Sequence, residues 1–172
     1  MQPNAVVLVE GTSDRCAVET LARRRGRDLE GEGVGVVSMG GYGNLPRVLA
    51  ECRDLRLAGL YDVGEEPHFL RALACVDRDE LERAGFYACT RDLEDELTRA
   101  VGREGMLRLL ADQHELHQFR TYQKQPAHRD RPLEEQLHGF MWNRKQRYSV
   151  LLVEAVELER VPRPLDRVLA HV

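Results

Sequence analysis

Lysine is almost missing from this sequence: of its 25 basic residues only Lys124 and Lys145 are lysines, and arginine supplies the rest. Long apolar runs are missing too. No stretch approaches the roughly eighteen apolar residues that a membrane-spanning helix needs. The N-terminus lacks a basic segment followed by an apolar signal core, so a cytoplasmic protein with no membrane role is expected. Cysteine is sparse and scattered: Cys16, Cys52, Cys75 and Cys89 show no paired spacing. That excludes a zinc-ribbon pattern and a disulfide framework, and it leaves reduced thiols acting as small core residues. No internal repeat, low-complexity tract or flexible linker interrupts the chain. Its 172 residues therefore suggest one domain with a sizeable core. A net charge of −4 excludes a global basic field of the kind that advertises nucleic-acid binding.

What is present is organised around Ala5-Val6-Val7-Leu8-Val9-Glu10-Gly11-Thr12-Ser13-Asp14. An apolar, β-branched run with no alternating polar face reads as a central strand covered on both sides. It stops at a carboxylate and a glycine, which places Glu10 at the strand's carboxyl end, where ligands of open α/β sheets bind. Thr12 or Ser13 is the expected N-cap of a following helix, with Asp14 just inside it. Two acids side by side at a strand end suggest a hard divalent cation.

The pattern then recurs. A helical stripe over Asp14 to Arg25 ends at Gly26, and Val34-Gly35-Val36-Val37-Ser38 forms a second short strand. The Gly40-Gly41-Tyr42-Gly43 turn matches neither standard nucleotide-binding fingerprint and is expected to shape the entry to a helix over Leu45 to Arg53. Leu57-Ala58-Gly59-Leu60-Tyr61-Asp62 is a third strand ending in an acid, with Glu65 or Glu66 able to reach the same edge. A helix from about His68 to Ala74 follows, and residues 77–83 read equally as loop or short helix. Gly85 to Cys89 is a fourth strand, followed by Thr90-Arg91-Asp92-Leu93-Glu94-Asp95-Glu96, a helix start with Thr90 as expected N-cap. Alternating strands and helices predict an α/β fold with a parallel sheet.

Beyond Ala100 the pattern is helical, over Met106 to Ala111, Leu116 to Tyr122, Leu133 to Trp142, Ser149 to Leu158 and a final short segment. The division expected is an α/β metal-binding core over 1–100 and a helical extension over 101–172 packed on it as one domain. Basic residues gather in the extension, and acids gather between Asp77 and Glu96. That asymmetry would suit metal-assisted chemistry on a phosphate backbone, but solvated surface charge is the readier explanation of the same counts.

Val7-Leu8-Val9-Glu10-Gly11 with Asp14, then Asp62, resembles the topoisomerase–primase (Toprim) domain. With Thr90 to Leu97 and Arg144-Lys145-Gln146-Arg147-Tyr148, the chain resembles the Toprim part of the overcoming-lysogenization-defect nucleases. The resemblance implies a Rossmann-like, mostly parallel four-stranded sheet flanked by helices. It further implies a two-metal phosphodiester hydrolase acting on DNA with Mg2+ or Mn2+. Carried over by motif, Glu10, Asp14, Asp62, Glu65, Asp92 and Glu94 are the metal ligands, with Glu10 and Lys145 catalytic and Lys124 the alternative lysine. Lys124, Arg144 and Arg147 are the residues expected on nucleic acid. The family's third-strand motif has two aspartates one residue apart, whereas Asp62-Val63-Gly64-Glu65 puts glycine at the second and an acid one place later. The larger nucleases of the family carry an ATPase domain, and no Gly-Lys-Ser or Gly-Lys-Thr loop occurs here. The chain then acts alone, works with an ATPase in trans, or serves as a catalytically weak Toprim-like module that binds nucleic acid or protein. RNA is the alternative substrate to DNA.

Overall fold

The computed structural model describes residues 3–172. Four strands, β1 (Ala5–Val9), β2 (Val34–Ser38), β3 (Arg56–Asp62) and β4 (Phe86–Cys89), form one parallel sheet in the order β2-β1-β3-β4. Val9 pairs with Ser38 and Asp62 with Cys89, so all four strands end along one edge. Every side chain of β1 is buried, as its uninterrupted apolar run predicts for a strand covered on both faces.

Helices cover the sheet on both sides. α1 (Thr12–Arg24) crosses from β1 to β2, and α2 (Leu45–Glu51) crosses back to β3. α3 (Glu66–Leu73) and α4 (Arg78–Arg83) connect β3 to β4. The remaining helices are α5 (Leu93–Asp112), α6 (Leu116–Gln123), α7 (Leu133–Met141), α8 (Lys145–Ala155) and α9 (Arg163–His171). One face of the sheet packs Val6, Leu8 and Tyr61 against Leu45, Val48, Phe69 and Leu81 of α2 to α4. The other packs Val7, Val9, Leu60 and Cys89 against α1, α5, α8 and α9, with Leu21, Leu97, Leu152 and Leu165 among the residues between. Because β1 leads first to β2 on one side and the chain then returns to β3 on the other, the order in which strands are added reverses between β1 and β3. That reversal opens a crevice at their carboxyl ends.

Two N-caps differ from expectation. Gly11, not Thr12 or Ser13, caps α1, and the amide of Gly11 is satisfied instead by the Asp14 carboxylate, Oδ2 at 2.9 Å. Asp92, not Thr90, caps α5 by accepting the Asp95 amide at 2.8 Å. At α5 a carboxylate takes the place of the expected hydroxyl as acceptor for a helix-start amide, whereas at α1 a glycine caps the helix and the third helical residue holds its amide. Residues 78–83 are helical, and Asp77 caps them. Gly102, at φ 74° and ψ 167°, breaks α5 into two segments, which explains why its sequence pattern stops and resumes.

The C-terminal helices are fastened to α1 by arginine. Arg24 donates to the carbonyls of Val153 and Val156 at the end of α8, at 2.6 and 2.7 Å. Arg27 reaches the carbonyls of Leu169 and Val172 at the end of α9. These are carbonyls that a helix leaves without internal partners. Leu152 is fully buried between α8 and the sheet-side helices. Leu152→Ala is expected to cost about 3 kcal/mol of unfolding free energy, measured as a shift of the urea midpoint at unchanged slope.

Candidate metal centre

The carboxyl edge of β1 and β3 opens into a cleft of about 530 Å³. Its walls carry Glu10, Asp14, Asp62, Glu65, Asp92 and Glu94 together with Lys145. Every acid singled out in the sequence as a metal ligand therefore faces one space. Glu10, Asp62 and Glu65 approach most closely, each offering a carboxylate oxygen within 4.8 Å of the others. Local structure explains why Glu65 joins them: Val63–Glu65 forms a 3₁₀ turn directly after β3, which swings the later acid back over the strand end. Glu66 faces elsewhere, accepting from Tyr61 Oη at 3.0 Å and Arg78 Nε at 2.6 Å.

Glu94 forms a second focus. It is 4% exposed, and its Oε1 is buried without a hydrogen-bond partner among the described residues. Glu65 Oε2 is in the same condition. A buried carboxylate oxygen without a donor is costly, and two in one cleft indicate that something positive completes them. An all-oxygen donor set suits a hard cation such as Mg2+, Mn2+ or Ca2+ and argues against zinc. The residues present thus fit divalent cations.

Charge crowding leaves its mark on proton affinity. Burial pushes Asp62 up to about 8, aided by the charges of Glu65, Glu10 and Asp92. Burial, then Glu94, raises Asp14 to about 7, and burial with Glu10 raises Glu65 to about 7. Asp92 behaves oppositely. Burial alone would raise it, yet hydrogen bonds from His138 and the Asp95 amide, with Lys145 nearby, hold it below the ordinary carboxylate range.

Lys145 is the first residue of α8. Its Nζ lies 3.5 Å from both Asp92 Oδ2 and Glu94 Oε2. Burial works against its charge, and Glu94 and Asp92 outweigh burial and raise its pKa. It is a fixed ammonium among carboxylates. Lys124 is exposed at the end of α6 and does not line the cleft. Arg144 and Arg147 line an adjoining groove that Lys145 shares. Both hold the buried carboxylate of Glu115, at 3.0 and 2.9 Å, and Tyr148 Oη donates to its other oxygen. Glu115 thereby pins the start of α8, and with it Lys145, to the junction of α5 and α6.

Sequence reasoning missed two residues. His138 is buried on α7, its Nε2 2.6 Å from Asp92 Oδ2; since an ionised Asp92 only accepts, Nε2 carries the proton. Trp142 lines the cleft with its ring centroid 4.4 Å from Lys145 Nζ. The glycine turn follows expectation. The amides of Gly40 and Gly41 both donate to the Glu10 carbonyl, at 2.9 and 3.2 Å, so they fix the backbone of Glu10 rather than cradle a phosphate.

Comparison with known proteins bears on the fold that holds this site. Residues 3–60 match the family model of the overcoming lysogenization defect protein-like TOPRIM domain. The fold is that of the C-terminal region of the Burkholderia pseudomallei OLD protein, with a TM-score of 0.76 at 17% identity over 99% of this chain and 97% of that one. The C-terminal region of the Xanthomonas campestris pv. campestris OLD protein gives 0.75 at 22% identity over 99% and 92%. No curated protein sequence matches the chain. The resemblance read from the sequence is borne out by the family model over residues 3–60 and by the shared fold over nearly the whole length.

The raised acids predict an unusual stability profile. A group whose folded pKa exceeds its unfolded value stabilises fully below the unfolded value and loses that contribution as pH climbs through the folded one. For Asp14, Asp62 and Glu65 the loss runs from about pH 4 to the values near 7 and 8. His171, held low by burial, works the other way at pH below its ordinary value of 6.5. Between pH 5.5 and 8.5 the metal-free midpoint of thermal unfolding is expected to fall by about 5 °C, allowing for screening at the half-exposed groups. Saturating Mn2+ at pH 8 is expected to reverse the fall, and Asp62→Asn to flatten it. Scanning calorimetry with and without EDTA reads all three.

Proposed function

We propose that this protein is a divalent-metal-dependent phosphodiesterase of nucleic acid, with DNA as its substrate and Mg2+ or Mn2+ as its cofactor. One observation carries the reading: buried, unpartnered oxygens of Glu65 and Glu94 face the same cleft as four further acids and one lysine. Glu10, Asp62 and Glu65 would hold one ion, and Asp14 with Glu94 a second. Divalent cations bound there would supply Lewis acidity and an activated water.

The protein's own groups supply the rest. Glu10 is rigid because its carbonyl is gripped by two amides and its strand is wholly buried. Lys145 offers positive charge at the position where negative charge grows on a phosphate in flight, and it sits in a half-buried site where such a charge acts strongly. Asp92 has three acceptor positions taken, by His138, Lys145 and the Asp95 amide. We assign it to orient Lys145 as much as to bind an ion. Arg144 and Arg147, partly exposed beside Lys145, extend positive charge along the adjoining groove, where a phosphate backbone would run. Without bound cations the acids that stay ionised repel a polyanion, so metal loading precedes substrate binding.

The altered third-strand motif does not by itself remove the site, because Glu65 reaches the space that a second aspartate would serve. Glu65→Ala is expected to weaken Mn2+ binding about tenfold or more, followed by calorimetric titration. A Cβ at Gly64 would meet no heavy atom within 4 Å, so Gly64→Asp in the Glu65→Ala background is expected to restore part of that affinity.

Cleavage of supercoiled plasmid and of single-stranded DNA, with Mg2+, Mn2+ or EDTA, tests the activity itself. Metal-dependent nicking is expected, reduced about 100-fold or more by Glu10→Ala and by Lys145→Ala. Well-folded, metal-loaded protein that cuts neither DNA nor RNA would overturn the enzyme reading in favour of a binding module that works with a separate ATPase.

A further inference from the structure

Among the described residues the exposed aromatic side chains are Tyr42, 39% exposed, and Trp142, 58% exposed. Trp142 lines the cleft, whereas the Tyr42 ring lies against His68, centroids 4.6 Å apart. All other aromatic side chains are buried or half-buried. An indole that is more than half exposed forgoes a large burial gain, and here it does so beside the one lysine of the site. Trp142 is not held out by lack of neighbours: Lys145 Nζ sits 4.4 Å from its centroid and the buried His138 ring lies 5.8 Å away. These contacts fix the indole against the wall while more than half of its surface is left to solvent. A phosphate neutralised by Lys145 would bring its own base within reach of that surface.

We propose that Trp142 is a stacking platform for a nucleobase adjacent to the phosphate bound at Lys145, and that the site therefore takes a strand whose bases are unpaired at that point. The proposal rests on the nucleic-acid reading above and narrows its substrate class to single-stranded or locally opened strands. A base in a continuous duplex is covered on both faces by its neighbours and cannot lie on an indole, whereas an unpaired base can. Stacking is tolerant of base identity, so the preference expected is for strandedness rather than sequence.

Trp142 is the chain's only tryptophan, so its fluorescence reports this site alone. With Ca2+ replacing Mg2+ to permit binding without turnover, a short oligothymidylate is expected to quench the emission. An abasic strand of equal length and a blunt duplex are expected to leave it nearly unchanged. By polarisation of a labelled oligothymidylate, Trp142→Ala is expected to weaken binding about tenfold and Trp142→Phe to restore most of it, with both variants checked for unchanged thermal unfolding. Equal affinity for the abasic strand and oligothymidylate, or unaltered affinity in Trp142→Ala, overturns the platform while leaving the phosphodiesterase reading intact. Quenching without cleavage under any metal sustains the platform and removes the enzyme. No binding of any strand overturns both. A dimer in sedimentation with emission already blue-shifted and insensitive to oligonucleotide shows the indole covered by a second copy, and overturns the platform too.

Discussion

Like charges brought together out of water repel, and here six carboxylates meet at one end of a sheet. Everything around them can be understood as a means of holding them there. The cluster cannot assemble for its own sake, because burial and mutual repulsion push Asp14, Asp62 and Glu65 to proton affinities several orders above those of free acids. The sheet imposes it. β1 is apolar at every position and buried on both faces, so Glu10 has no freedom to withdraw, and parallel pairing of β1 with β3 fixes Asp62 beside it. The hydrophobic core thus supplies the energy that the acids would otherwise release by separating. A cation is the natural relief of such a site, and protons are its weak substitute.

The helical extension answers the same constraint from the other side. Its helices bring one ammonium to Asp92 and Glu94, and several contacts serve that placement. Arginines from α1 and the segment after it clamp the ends of α8 and α9, Glu115 ties down the start of α8, and His138 steadies the aspartate that faces Lys145. Scarcity of lysine then becomes intelligible. Arginine, with its planar fork of donors, does the structural fastening to carbonyls and carboxylates, and of the two lysines one, Lys145, supplies the compact ammonium of the cleft.

Much of this was legible in the sequence for a simple reason. Strand ends and carboxylates coincide, and a parallel sheet turns that coincidence into proximity, so Glu10, Asp62 and the acids after β4 could be placed together before any coordinates. Strand periodicity left Glu65 and Glu66 level, the family resemblance favoured Glu65, and the 3₁₀ turn supplies the physical reason. The N-caps were misplaced because hydroxyl preference was applied where Asp92, two residues after the expected cap, takes the helix-start amide of α5, and where Asp14, inside α1, holds the amide of Gly11 and so lets the helix begin one residue earlier. His138 left no signal: it lies among Leu137 and Met141 on the buried side of α7, where spacing alone marks a position as core and says nothing of a partner from α5. The long-range ties of Arg144 and Arg147 to Glu115 are invisible for the same reason, since no local pattern encodes a contact across about thirty residues, and their charges read as free for a ligand.

The position of Asp92 shows how these levels interlock. As the cap of α5 it is engaged by a backbone amide, and that bond belongs to folding. Through its other oxygen it takes His138 and Lys145, and those bonds belong to chemistry. Its proton affinity is lowered while those of Asp14, Asp62 and Glu65 are raised, so in the metal-free protein at neutral pH it stays ionised while those three share protons. Lys145 therefore keeps a charged partner whether or not cations are present, and the one positive group of the cleft is already oriented when they arrive. A site arranged this way needs no rearrangement of its lysine on metal binding. Under the proposed function, what would change is the balance of charge around it, from a cleft that repels phosphate to one that admits it.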